Sequence, residues 1–213
     1  MNIQNSSRVP TSEQAWLAAA YDELTQTGVE AVKIMTLAKR LKVSRTSFYW
    51  HFKDREELLE AMIRHWEDKN TGNLVARTEA YAATISEAIF NLFDCWLDAD
   101  LFDSALDLAI RNWARNDAAL QLRLDRADAR REAAMAAMLE RFGYSADTAL
   151  VRARTMIYTQ IGYISMQIQQ PEDRRIARMP DYIEVFTGQR PDQTDIDRFM
   201  ARHQTGKAAA TPE

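Results

Sequence analysis

Between Lys33 and Arg55 the chain carries seven lysines and arginines, at positions 33, 39, 40, 42, 45, 53 and 55, against one acid, Asp54. That net +6 over 23 residues lies in a 213-residue chain whose formal charge is −4. Threaded among the cations are Ser44, Thr46, Ser47, Tyr49, Trp50 and His51. Ammonium and guanidinium groups balance phosphate charge, and hydroxyl, phenol and imidazole groups donate to phosphate oxygens. A guanidinium fork can also pair with the edge of guanine. The chemistry on offer is therefore nucleic-acid binding. Other reactive residue types lack the spacing of a catalytic or metal centre. There is no Gly-rich phosphate loop, no G-x-S-x-G, and no His/Cys set at ligand spacing. Asp94, Asp98, Asp100, Asp103 and Asp107 read as helix caps and a solvated face, and Asp107, Arg111 and Arg115 as surface ion pairs. Cys95, the one cysteine, reads as a small core residue. No catalytic residue, metal ligand or cofactor is expected.

The basic stretch must be held by two short helices and a turn. Leu37, Leu41 and Val43 give a first helix its apolar contacts, and Ala38 leaves room for a close neighbour. Ser44 suits the N-cap of a second helix with Ser47 in its first turn. In that second helix Phe48 and Phe52 fall at i and i+4 and face inward, which turns Arg45, Thr46, Tyr49 and Trp50 toward other faces. A helix-turn-helix needs this division, since its second helix anchors by one side and reads a major groove with the other.

The stretch from about Ser12 to Trp66 resembles the DNA-binding domain of TetR-family transcriptional regulators. The resemblance rests on Val43-Ser44-Arg45-Thr46-Ser47-Phe48-Tyr49-Trp50-His51-Phe52 followed by Asp54-Arg55-Glu56-Glu57-Leu58-Leu59. It implies phosphate contacts at Tyr49, His51 and Lys53, and a DNA-binding set of Ser44, Arg45, Thr46, Ser47, Tyr49, Trp50, His51, Lys53 and Arg55. The chain departs from the family where glycine is usual: Lys42 holds the turn and Thr46 a second such position. Lys42 must then take a left-handed conformation at modest cost.

Nearly all of the remaining chain also reads as helix, with six glycines and no apolar/polar alternation of strand type. A first helix is expected from Thr11, with Gln14 three residues on and a stripe of Leu17, Ala20, Tyr21 and Leu24. A fourth, at 54–70, carries Leu58, Leu59, Met62, Ile63 and Trp66, and is stopped by Asn70-Thr71-Gly72. A body of helices follows at 72–213. One of them runs from near Ser145 to Pro171, the segment 171–191 is irregular around a short helix at Tyr182–Phe186, and a last helix after Asp192 carries Ile196, Phe199 and Met200. The expected fold is all-α: an N-terminal three-helix head (1–55) joined by the fourth helix to a C-terminal ligand-binding and dimerisation domain.

Within the body Phe93, Trp96, Phe102, Trp113, Met135, Met138, Met156 and Tyr158 are candidate walls for an effector pocket. Ile157, Ile161, Gly162, Ile164, Phe199 and Met200 are candidates for a two-fold seam. One small head is too little surface for a specific site, so a homodimer reading a palindrome, with half-sites about 34–36 Å apart or a multiple of that, is expected. The resemblance implies that the last two helices pair with their copies and that the fourth helix links the pocket to the heads. It points to a repressor released from double-stranded DNA by an unknown small molecule. An architectural or protein-interaction module using the same basic patch without an effector is the other reading; an enzyme is not expected. No run approaches the roughly 18 apolar residues of a membrane span, and the polar Met1–Pro10 lacks a signal-peptide core. A cytoplasmic protein is the expectation.

Overall fold

The computed structural model describes residues 12–208, with side chains through His203. Among the described residues there are ten α-helices and no strand: α1 Glu13–Gln26, α2 Ile34–Leu41, α3 Arg55–Trp66, α4 Asn73–Glu79, α5 Ile85–Leu97, α6 Ser104–Ala114, α7 Ala118–Arg141, α8 Ala146–Ser165, α9 Glu172–Thr187 and α10 Gln193–Ala208. Their starts are written in the sequence. Ser12, Asp54, Thr84, Asp103, Asp117 and Ser145 each accept a first-turn backbone N–H through the side chain. At α5 the cap is reciprocal, because Glu87 also accepts the Ala83 N–H at 2.7 Å. The expected cap at Thr11 lies outside the described residues, as does much of the polar tail; Ser12 is the cap observed.

Two apolar clusters organise the chain. One joins α1, α2 and α3 to α6 and the first half of α7, around Trp16, Leu37, Phe48, Leu58, Trp66 and Ile110. The other gathers α4, α5, the second half of α7, and α8 to α10. The head is thus continuous with α6, and Tyr21 of α1 donates to Asp103 at 3.1 Å across that contact.

The turn after α2 is where Lys42 meets its constraint. Its φ of 55° and ψ of 38° are left-handed, the Lys42 N–H bonds Lys39 O and the Val43 N–H bonds Ala38 O. That is a Schellman closure with lysine where glycine is cheapest. We expect Lys42→Gly to raise the unfolding free energy by about 1 kcal/mol, read as a higher urea midpoint with unchanged slope.

Four expectations are corrected. The recognition segment Arg45–Trp50 is 3-10 rather than α-helical. Ser44 makes no side-chain cap there, and the Ser47 hydroxyl donates back to Ser44 O at 3.0 Å, a local bond that favours the tighter turn. The chain does not stop at Asn70-Thr71-Gly72. It continues through a π-helical turn, Glu67–Gly72, into α4, because Asn70 and Thr71 are buried against polar partners on neighbouring helices. The helix expected to reach Pro171 ends at Ser165, with Gln167 left-handed beyond it. Finally, 172–187 is one continuous helix despite Pro180, and Ile176, Met179, Ile183 and Phe186 form its buried stripe.

Candidate functional site

The recognition segment is anchored by aromatic packing. The Phe48 ring meets Trp16 edge-on at 5.1 Å and lies 5.5 Å from Phe52, and both phenylalanines are buried. Edge-to-face contacts of this kind fix ring orientation as well as bury area, so the opposite face is presented rigidly. On it Ser44, Arg45, Thr46, Tyr49 and Trp50 are exposed, Trp50 to 75%. Ser47 and His51 are half-buried, and His51 has interactions of its own. Arg45 and Tyr49 form a unit: Arg45 Nε and Nη2 donate to the Tyr49 hydroxyl at 3.1 and 2.7 Å. The phenol accepts from Arg45 and keeps its own proton to donate, which suits a phosphate oxygen.

The basic patch is thinner than the sequence count. Arg40 is paired with Asp22 and Glu23 of α1. Arg55 is turned inward, with Nε on Val32 O at 2.6 Å and Nη2 on Val29 O at 2.7 Å. It braces the loop before α2 through these two carbonyls, the first of which ends the loop and the second of which also accepts the Val32 N–H, so little of its charge faces the outer side of the head. Lys33, Lys39, Lys42 and Lys53 are exposed and lack carboxylate partners among the described residues. These four, with Arg45, make the outward charge.

A family model described as bacterial regulatory proteins, tetR family, matches residues 17–62, which run from α1 into α3. Over 75 residues the chain is 32% identical to tetracycline repressor protein class G of Vibrio anguillarum. Over 63 residues it is 33% identical to tetracycline repressor protein class A from transposon 1721 of Escherichia coli. Residues 17–62 thus carry the tetR-family DNA-binding pattern. These matches cover 33% and 30% of this chain, and 34% and 29% of the repressors' own lengths. The chain thus matches these repressors over about a third of their length. The fold agrees over more of the chain. Salmonella enterica GusR superposes with a TM-score of 0.61 at 16% identity, covering 87% of this chain and 97% of that one. A transcriptional regulator from Rhodococcus sp. Rha1 does so with 0.57 at 21% identity, covering 90% and 97%.

The body holds a mainly apolar cavity of about 90 Å³ between α5, α8 and α9. Of the expected pocket residues Phe93, Trp96 and Met156 line it. Met135 and Met138 are fully buried core between helices, and Phe102 is buried under the Arg131 guanidinium. Trp113 borders an open polar cleft between the head and α6. Tyr158 points outward, 63% exposed. The cavity is completed by Tyr163, Arg175, Met179, Tyr182 and Phe186, among others; the aromatic and methionine positions of α9 are the sequence signal for it.

The residues expected at the seam divide between the protomer's core and its surface. Phe199 is 1% exposed and stacks on Phe90 at 4.3 Å, and Ile157 is 4% exposed. Both belong to the protomer's own core. Ile161 and Met200 pack against the same cluster, and Ile164 borders the cavity. Gly162 has nothing within 4 Å of where a Cβ would stand. It lies on the α8 face that also presents Val151, Thr155 and Tyr158, spaced 4, 3 and 4 residues apart. Val151, Tyr158, and Tyr182 and Val185 of α9 are large exposed hydrophobics.

The aspartate cluster holds what the sequence hid. Asp107 is fully buried. Trp66 Nε1 donates to it at 2.8 Å, Arg111 Nε at 2.7 Å and Arg131 Nη1 at 3.2 Å. Arg111 then forks onto Asp128, both bonds 2.8 Å, and Arg131 Nε reaches Thr71 in the π turn at 2.9 Å. Burial by itself would raise the Asp107 pKa, but Arg131, Arg111 and the Trp66 N–H together hold it below the ordinary carboxylate value. Asp107 is therefore an interior anion joining the end of α3 to α6 and α7, and Arg111 its half-buried partner. Asp94 is likewise buried, against Arg77, Arg202 and His203. Burial pushes the Cys95 thiol up to about 12, so it is an inert core residue. Among the described residues no group of three or more His, Cys, Asp or Glu could hold a metal ion, and no helix is long and apolar enough to cross a membrane.

Proposed function

We propose that this protein is a cytoplasmic, sequence-specific transcriptional repressor that binds a palindromic operator as a homodimer and leaves it when a small molecule occupies its body. The observation that carries the reading is the recognition segment. Its aromatic side is locked into the head, and Ser44, Arg45, Thr46, Ser47, Tyr49, Trp50, His51 and Lys53 cluster on or beside its outer side. Arg45, Thr46 and Ser47 lie where side chains reach base edges. Tyr49, His51 and Lys53 suit phosphates, with Lys33, Lys39 and Lys42 adding charge around them.

The control logic follows from continuity. The cavity lies among α5, α8 and α9, while α3, the π turn and α4 run without a break from the head into the body. A ligand that prefers a head spacing unfit for DNA lowers DNA affinity by its differential binding to the two states.

The test is binding to duplexes selected from a random pool by the purified protein. Between 50 and 200 mM salt the affinity of the dimer should fall by roughly 10³-fold or more, as for six or more phosphates neutralised. An affinity that barely moved would remove the phosphate role of the patch. Arg45→Ala should change the selected sequence. Tyr49→Phe, which removes the acceptor that aims Arg45, should weaken all sites by up to about tenfold, one charge-assisted bond's worth, and blur the same base position. If Arg45→Ala and wild type select one identical motif, base reading lies elsewhere.

A further inference from the structure

We infer that the cavity between α5, α8 and α9 is built for a compact aromatic carboxylate. This rests on the ligand-responsive reading above and adds the chemistry of the ligand.

Three observations carry it. The walls are aromatic and sulfur-bearing: Phe93 lies 5.4 Å from Trp96 and 6.4 Å from Phe186, Tyr182 stands 5.9 Å from Phe186, and Met156 and Met179 complete the surface. Such walls favour a flat ring through edge and offset contacts and S–aromatic contacts. Two of the lining residues carry a polar side-chain atom that is shut off from solvent with no hydrogen-bond partner, Trp96 Nε1 and Tyr163 Oη. An unsatisfied buried donor is costly. Both atoms can donate, so a guest acceptor that moves the side chains around them satisfies them. The third observation is charge. Arg175 and Arg178 line the cavity and no Asp or Glu does. Arg175 is held in place by Nη2 on Trp96 O at 2.9 Å and by stacking over the Tyr163 ring at 5.3 Å. It makes no ion pair among the described residues, so most of its five donors remain for a carboxylate.

Size narrows the class. An engineered apolar cavity of about 150 Å³ takes up benzene. This one holds about 90 Å³, so a single ring with a carboxylate enters only as the flexible side chains of Met156 and Met179 on its wall yield.

The probes are benzoate, its neutral isostere benzamide, the cation benzylammonium, and decanoate, titrated into the full-length protein by calorimetry without DNA. Benzoate should bind at least tenfold more tightly than the other three. Trp96→Phe and Tyr163→Phe, each deleting one unpartnered donor, should each weaken benzoate five- to twentyfold. Neither should lower the thermal midpoint of the free protein, since neither atom bonds anything in it. Benzamide or benzylammonium binding as tightly as benzoate, benzoate affinity unchanged in both variants, or no benzoate binding at millimolar concentration would each overturn the assignment. Release of selected duplex is read separately by anisotropy. Benzoate that binds yet releases no DNA leaves the cavity assignment standing and removes effector control. Release by another class with benzoate inert does the reverse.

Discussion

Asp107→Ala should cost about 3–5 kcal/mol of folding free energy, the largest loss expected from any single side chain of this protein. The residue is buried among two guanidiniums, an indole N–H and the Asn70 amide. Its removal leaves Asp128 as the one carboxylate shared by Arg111, at 2.8 Å, and the buried Arg131, at 3.4 Å, so Arg131 bears most of the penalty. Urea unfolding followed by tryptophan fluorescence checks this: the midpoint should fall sharply with the slope unchanged. Asp107→Asn, which keeps the shape and an oxygen for Trp66, should cost less and isolates the charge. The pH dependence has a fixed sign. Because the folded-state pKa of Asp107 lies below its ordinary value, its stabilisation is fully present above about pH 4 and is lost as pH falls through the folded value. The gap between wild type and Asp107→Asn should therefore be flat from neutral pH down to about 4 and close below it. A gap that widened on acidification would mean that the carboxylate is not ion-paired.

Why Asp107 was invisible in the sequence explains what a sequence discloses here. Phe48 and Phe52, Leu58 and Met62, or the Asp54–Glu57 cap are neighbours within one turn, so local periodicity carries their meaning. Lys42 is similar: a turn is needed there, and its conformation follows. Asp107 meets Trp66 41 residues before it and Arg131 24 residues after it. Nothing within a turn of Asp107 separates a buried aspartate from a solvated one. The same distance effect misread Asn70 and Thr71 as a helix stop, since polar residues end helices unless buried partners wait on another element. Pro180 hid α9 for a different reason. A proline costs a helix one hydrogen bond, and here the stripe of Ile176, Met179, Ile183 and Phe186 buried against α5 and α8 outweighs it. With α9 unread, the seam and most of the cavity wall could not be placed.

The assembly prediction moves accordingly. Val185 is 69% exposed on α9, and Val151 is 63% exposed on α8. The two flank one groove with Thr155 and Phe186, and Tyr158 on α8 and Tyr182 on α9 are exposed on the same two helices. Large side chains left in water on two adjacent helices mark a contact surface. We place the two-fold seam there, in place of Ile157, Ile164 and Phe199. A two-fold axis brings each patch onto its copy, and Gly162, with open space above it, lets the crossing helices approach closely. Val185→Asp then sets two carboxylates in a desolvated seam, near each other across the axis. Wild type should sediment as a dimer and Val185→Asp as a monomer at the same concentration, with operator affinity reduced at least 100-fold. Because Val185 already faces solvent in the protomer, the substitution should change protomer stability by no more than about 0.5 kcal/mol, and helix content should be unchanged. Ile164→Asp is the contrasting variant: it strikes the cavity wall, and should disturb ligand binding before assembly. A dimeric Val185→Asp protein with wild-type operator affinity would put the seam on another face of the molecule.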